Sequence, residues 1–202
     1  VAPQCSHHEV EAVEVSSLLM TGFPGFLGSA LLPKVLARRE GVQAVCLVQP
    51  QHLELARERM AQIESANPHV VDRIVLIEGD ITVPGLGVDV TNRPLLADVT
   101  EVWHLAAVYD LSVPEAIARR VNVEGTGHII EFCQSRAQFD RLQYVSTCYV
   151  SGDFESSETH RVREDCRSRL KHYHYNKIEA EVLVWANLRG VDLSLANLDK
   201  VR

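Results

Sequence analysis

The chain has 202 residues, 46% of them hydrophobic and 23% charged, with a formal net charge of -7. This is the balance of an ordinary globular protein with enough length for one domain and a sizeable core. An acidic chain without a long basic stretch excludes nucleic acid, or an anionic membrane surface, as the main partner.

Residues 1–13 carry no periodicity and read as a loose leader to a single domain over residues 14–202. An apolar run at residues 15–20 predicts a strand and leads into a glycine-rich turn at residues 21–28. Leu27, Leu31, Leu32, Val35 and Leu36 then fall on one face of a helix ending near Arg39, and Gly41 supplies its stop signal. Residues 42–48 are apolar apart from Gln43, as a buried parallel strand would be. The alternation repeats with a helix over 52–65, a strand over 73–77 and a turn-rich crossing that holds Pro84, Gly85, Gly87 and Pro94. A strand over 99–105 follows, then helical segments near 114–120 and 123–136, and a strand over 142–145. A long helix over about 167–188 and a last strand over 191–195 complete the pattern. Strands and helices alternating in this way predict an α/β fold, a doubly wound parallel sheet with helices on both faces.

Chemistry enters at the first turn. Gly22, Gly25 and Gly28 are spaced as GxxGxxG between an apolar strand and an amphipathic helix. In that context the first glycine allows a tight turn, the second lets the backbone approach a pyrophosphate, and the third lets helix pack on strand. The N–H groups at the helix start then face the anion. After the second strand, a carboxylate would bind the ribose 2′-hydroxyl of NAD and an arginine would accommodate the 2′-phosphate of NADP. Gln49 stands there and is neither.

Tyr173 and Lys177 are four residues apart on the long helix, so both project from one face. An ammonium beside a phenol stabilises the phenolate, and the tyrosine can give a proton to a carbonyl oxygen as hydride arrives. Thr147 follows the strand over 142–145 at the carboxyl edge of the sheet, where its hydroxyl could bond the substrate oxygen.

The five cysteines, Cys5, Cys46, Cys133, Cys148 and Cys166, form no CxxC pair. Cys46 and Cys148 lie in apolar runs, where a thiol acts as a small hydrophobe, and a reducing cytoplasm fits this usage. His7 with His8, and His172 with His174, lack a cysteine or carboxylate at a metal-site spacing, so no metal is expected. No apolar run has the length of a membrane span and no signal-peptide pattern opens the chain, whose first residue, valine, reads as a processed or trimmed start. Arg161, Arg163, Arg167, Arg169 and Lys171 read as a solvated segment, or as a surface for an anionic substrate arm such as a phosphopantetheine. Helix faces at 123–133 and 178–184 could pair two protomers in a homodimer or belong to the core.

TGFPGFLG at 21–28, GDI at 79–81, HLAA at 104–107, VNVEGT at 121–126, YVST at 144–147 and YHYNK at 173–177 together resemble the extended short-chain dehydrogenase/reductase superfamily. TGFPGFLGSALLPKVLARR, GDITVPGLG and HLAAVYDLSVPE resemble its fatty acyl-CoA reductase and thioester reductase branch, which reduces an acyl thioester with NADPH. The resemblance implies that Gly22, Phe23, Pro24, Gly25, Phe26, Leu27 and Gly28 line the pyrophosphate and that Asp80 and Ile81 flank the adenine. It puts Ala106 and Ala107 beside the cofactor ribose and Asn122 near the nicotinamide half. Thr147, Tyr173 and Lys177 match the catalytic threonine, tyrosine and lysine, and Lys177 would also bind the nicotinamide ribose. Thr147 rather than Ser146 takes this role because it stands five residues before Gly152, as in the family pattern.

The implied cofactor is NADP(H) in preference to NAD(H), and the implied substrate is a small-molecule or carrier-bound acyl thioester. Two departures stand out. Gln49 replaces the arginine usual in this branch. The last strand runs into Asn197 and Leu198 instead of Arg-Pro, so most of the C-terminal substrate region is expected to be missing or truncated. Two other functions fit the scaffold: a nucleotide-sugar epimerase or dehydratase with tightly held NAD, and a truncated dinucleotide-binding module without catalysis.

Overall fold

A computed structural model describes residues 16–110 and 112–146. Five parallel strands form one sheet in the order β3-β2-β1-β4-β5. They are β1 (Ser17–Thr21), β2 (Gln43–Val48), β3 (Ile74–Glu78), β4 (Val99–His104) and β5 (Arg141–Tyr144). The connections run through α1 (Phe26–Ala37), α2 (Leu53–Ala66), and a pair of helices, α3 (Glu115–Arg119) and α4 (Gly125–Gln134). The doubly wound expectation holds, and strand order reverses between β1 and β4. In such sheets the crevice for a ligand opens at the carboxyl ends of the strands flanking that reversal.

Each of the central strands is buried on both sides, which is why it reads as a continuous apolar run. Leu18, Met20, Ala44, Cys46 and Val48 face Leu32, Leu36 and Ala56 of the first two helices. Leu19, Val45, Leu47 and Val102 face the opposite layer with Ile81, Leu86, Ile129 and Cys133. Alternation with period two therefore divides one strand between two cores. The helix face at 123–133 joins this second core through Ile129 and Cys133, and Val123 and Ile130 on the same stretch are buried as well. The other face named for pairing, at 178–184, lies outside the described residues, as do the helix over 167–188 and the strand over 191–195.

The segments predicted near 114–120 and 123–136 are joined. A π-helical turn, Arg120–Glu124, carries α3 directly into α4. Such a turn accommodates one residue beyond the regular helical repeat, and it brings Asn122 to a fully buried position.

At the far end of α1, the acidic side chain of Glu101 in β4 is only 2% exposed. Arg39 meets it with both guanidinium nitrogens, Nη2 donating to Oε1 at 3.2 Å, and the Trp103 indole N–H donates to the same Oε1 at 2.9 Å. A carboxylate can stay buried only with such partners. No helix among the described residues is long and apolar enough to cross a membrane.

Cys46 and Cys133 are buried free thiols, and burial pushes each up to about 12. A folded-state value above the ordinary 9.0 means that stability is fully present below pH 9.0 and is lost as pH rises toward about 12. A disulfide-exchange reagent at roughly pH 8 should therefore label neither thiol in the native chain while labelling both after denaturation. Mass spectrometry of the labelled peptides checks this, and native labelling at the denatured rate would contradict the burial.

Candidate dinucleotide-binding site

The crevice is built where β1 and β4 end side by side. Thr21, the last residue of β1, is paired with His104, the last of β4. The Thr21 hydroxyl accepts the backbone N–H groups of Leu105 and Ala106, each at 3.2 Å. Its own hydrogen therefore goes to His104 Nδ1 at 2.7 Å. On the other side of the ring, Thr126 donates to the Asn122 carbonyl at 2.7 Å, so it accepts from His104 Nε2 at 3.1 Å. The network fixes a neutral His104 carrying its hydrogen on Nε2. The ring is fully buried and stacks on Tyr144 of β5 at 5.6 Å between centroids.

Gly22 leaves β1 at φ +85°, a conformation that side chains resist. A Cβ there would lie 2.8 Å from both the Ala106 nitrogen and the Leu105 carbonyl carbon. The glycine turn thus passes directly against the chain leaving β4. Gly25 and Gly28 close on the same point, since a Cβ on either would stand 2.7 or 2.8 Å from the Gly22 carbonyl oxygen. That oxygen accepts the Gly25 N–H at 2.9 Å, and the Ser29 hydroxyl closes the turn by donating to the Pro24 carbonyl at 2.9 Å.

The N-terminal turn of α1 starts at Phe26 with no side-chain cap and no acidic residue. Its leading N–H groups have no helical carbonyl to bond, and no carboxylate offsets the dipole. Gly25, Phe26 and Leu27 are exposed there, with Phe26 87% exposed, whereas Phe23 is buried under the turn. An open helix start reached through a glycine-rich turn can hold a pyrophosphate.

The β4 exit is held from the opposite side. Asn122 Oδ1 accepts the Val108 N–H and Asn122 Nδ2 donates to the Val108 carbonyl, both at 2.9 Å. The buried amide thereby acts as a strand partner for the segment carrying Ala106 and Ala107. The resemblance puts Asn122 near the nicotinamide half, and its amide holds the segment that leaves β4.

The residues expected to flank the adenosine lie beyond β2 and β3. Asp80 follows β3, and its Oδ1 accepts the Thr82 N–H at 2.8 Å. Its Oδ2 accepts the Gln49 amide at 2.9 Å, so the residues after β2 and β3 are bonded to each other. Burial raises the Asp80 carboxyl, but the Thr82 N–H and hydroxyl, the Gln49 amide and the Arg120 charge outweigh it and hold the group below its ordinary value. Ile81 is buried, packs where a Cβ on Gly125 would sit, and accepts His128 Nδ1–H on its carbonyl at 2.7 Å.

At the carboxyl end of β5 the Ser146 hydroxyl is buried with no partner among the described residues. Thr147, Tyr173 and Lys177 lie outside those residues. The roles of Thr21, His104 and Thr126 were not foreseen from the sequence, although each lies in a quoted motif: TGFPGFLG, HLAA and VNVEGT.

A parallel sheet with a switch point at β1 and β4, a glycine turn pressed under β4 and an uncapped helix start define a dinucleotide-binding domain of the extended short-chain dehydrogenase/reductase class. Comparison with known proteins places it further. The chain belongs to the family described as male sterility protein, whose model matches residues 20–199. Among curated proteins it is 29% identical over 151 residues to fatty acyl-CoA reductase 1 of Mus musculus, covering 69% of this chain and 29% of that one. It is 27% identical over 199 residues to a component of the linear gramicidin synthase of Brevibacillus parabrevis, covering 93% of this chain and 4% of that one.

Among solved structures, the terminal R domain of the myxalamid PKS-NRPS pathway superposes with a TM-score of 0.66 at 31% identity, over 88% of this chain and 47% of that one. The reductase domain of a nonribosomal peptide synthetase from Mycobacterium tuberculosis gives a TM-score of 0.63 at 26% identity, over 85% of this chain and 44% of that one. The chain thus spans less than half the length of these relatives.

Proposed function

We propose that the chain is the nucleotide-binding part of a reductase that converts an acyl thioester, on coenzyme A or on a carrier, to an aldehyde at the expense of NADP(H). The observation that carries the reading is the Gly22 crossing. Only a backbone without side chains fits between β1 and β4 there, and it ends on an open helix start suited to a pyrophosphate. Likeness to fatty acyl-CoA reductase 1 and to reductase domains of peptide synthetases supports the thioester as substrate class.

The dinucleotide, when bound, supplies the hydride to the carbonyl carbon. Thr147 would hydrogen-bond the carbonyl oxygen as negative charge grows on it. Tyr173 would give that oxygen its proton, and Lys177 would keep the phenol acidic enough to do so. The carbon–sulfur bond would then break as the hydroxyl proton is given up and one proton reaches the departing sulfur, so that the free thiol leaves and the aldehyde remains.

The test follows NADPH absorbance in the enzyme that contains this chain, with a long-chain acyl-CoA and an acyl-carrier thioester offered separately. Oxidation that depends on one of them, with aldehyde formed, is the expected result. NADPH consumption indifferent to every thioester would remove the substrate assignment.

A further inference from the structure

The ribose corner of the site carries a chemistry that neither form of the dinucleotide would choose by itself. The side chain after the second strand is the one that meets the ribose 2′ position in this fold. Gln49 holds that place, and both ends of its amide are engaged. Its nitrogen donates to Asp80 Oδ2 at 2.9 Å, and its oxygen accepts from Gln51 Nε2 at 2.9 Å. An amide cannot neutralise a phosphate as a guanidinium does, nor take a 2′-hydroxyl as strongly as a carboxylate does. Behind it, Asp80 brings a negative charge into the same corner, pinned by the Thr82 N–H at 2.8 Å. Arg120, exposed on the π turn, is the cation whose charge reaches Asp80.

Resting on the reading that a nicotinamide dinucleotide lies across the crevice, we propose that the Gln49–Asp80 pair is a specificity-determining element that leaves selection between NADPH and NADH weak. The Asp80 charge opposes a 2′-phosphate that Arg120 attracts, while Gln49 offers either 2′ group one shared amide. Strong preference would need a full charge at position 49.

Calorimetric titration of the 202-residue chain with NADPH and with NADH tests this. The two dissociation constants should agree within about tenfold, the factor that one charge-assisted hydrogen bond is enough to supply. Gln49→Arg should move their ratio about tenfold or more toward NADPH by giving the phosphate a planar cation. Asp80→Asn keeps an acceptor for Thr82 but removes the charge, and should move the ratio the same way by about threefold to tenfold.

A native preference above about tenfold for either dinucleotide overturns the proposal, because one uncharged amide is too weak to produce it. So does a pair of variants that weaken both dinucleotides in equal proportion, since that is what a merely structural role predicts. In both of those cases the dinucleotide still binds and the reductase reading stands. Failure of the native chain to bind either dinucleotide would sink both.

Discussion

Replacing Gly22 by alanine is expected to lower the stability of the domain by about 2–6 kcal/mol, the sum of backbone strain and overpacking. Both costs are legible at the site. The residue sits at φ +85°, and its new methyl would stand 2.8 Å from two backbone atoms of the Leu105–Ala106 peptide. Backbone cannot swing aside as the end of a lysine can. The Leu105 and Ala106 N–H groups are tied to Thr21, and Asn122 holds Val108 a few residues on. Relief would have to come from opening the gap between β1 and β4 exits, which is where the pyrophosphate would lie.

Gly41→Ala provides the control. That glycine has φ +74° but nothing within 4 Å of a Cβ, so it suffers the conformational cost alone, about 1–3 kcal/mol. Urea unfolding of both variants, with a dinucleotide titration of each, separates the two costs. Gly22→Ala should be the less stable and should lose binding, while Gly41→Ala keeps it. Equal stabilities would mean that the close approach at Gly22 does not exist.

The parts of this molecule that depend on periodicity could be read from the sequence, and the parts that depend on long-range pairing could not. The run at 15–20 and the apolar stretch at 42–48 became β1 and β2 within one or two residues, because strands buried on both faces leave an unbroken apolar signal. The GxxGxxG spacing located the turn since its constraint is local. The join of α3 to α4 was hidden. Its π turn holds Asn122, a residue that suits helix ends better than interiors, and the reason it is tolerated lies in the Val108 backbone.

Likewise His104 is one letter in a motif until Thr21 and Thr126 are brought to its two nitrogens from 83 and 22 residues away. Gln49 and Asp80 were each singled out, but nothing in the order of residues shows that they bond across 31 positions. Glu101 interrupts a strand that otherwise reads as core, and its ion pair with Arg39 explains how it can.

Tyr173→Phe in the enzyme that contains this chain is expected to cut kcat for thioester-dependent NADPH oxidation by about 10²–10⁴, the worth of a positioned general acid. The phenylalanine ring keeps the shape of the side chain and removes only the proton that the carbonyl oxygen would receive. Affinity for NADPH should therefore change little, so the loss falls on kcat rather than on nucleotide binding. Lys177→Met should behave differently. If the ammonium both acidifies the phenol and holds the nicotinamide ribose, its removal must weaken the dinucleotide as well as slow the reaction. Steady-state rates at saturating thioester, paired with a nucleotide titration of each variant, distinguish the two patterns. A Tyr173→Phe enzyme that turns over at the native rate would exclude the phenol as proton donor. Native NADPH affinity in Lys177→Met would show that the ammonium acts on the phenol alone, leaving the nucleotide to the Gly22 turn and the walls that Thr21, His104 and Asn122 hold in place.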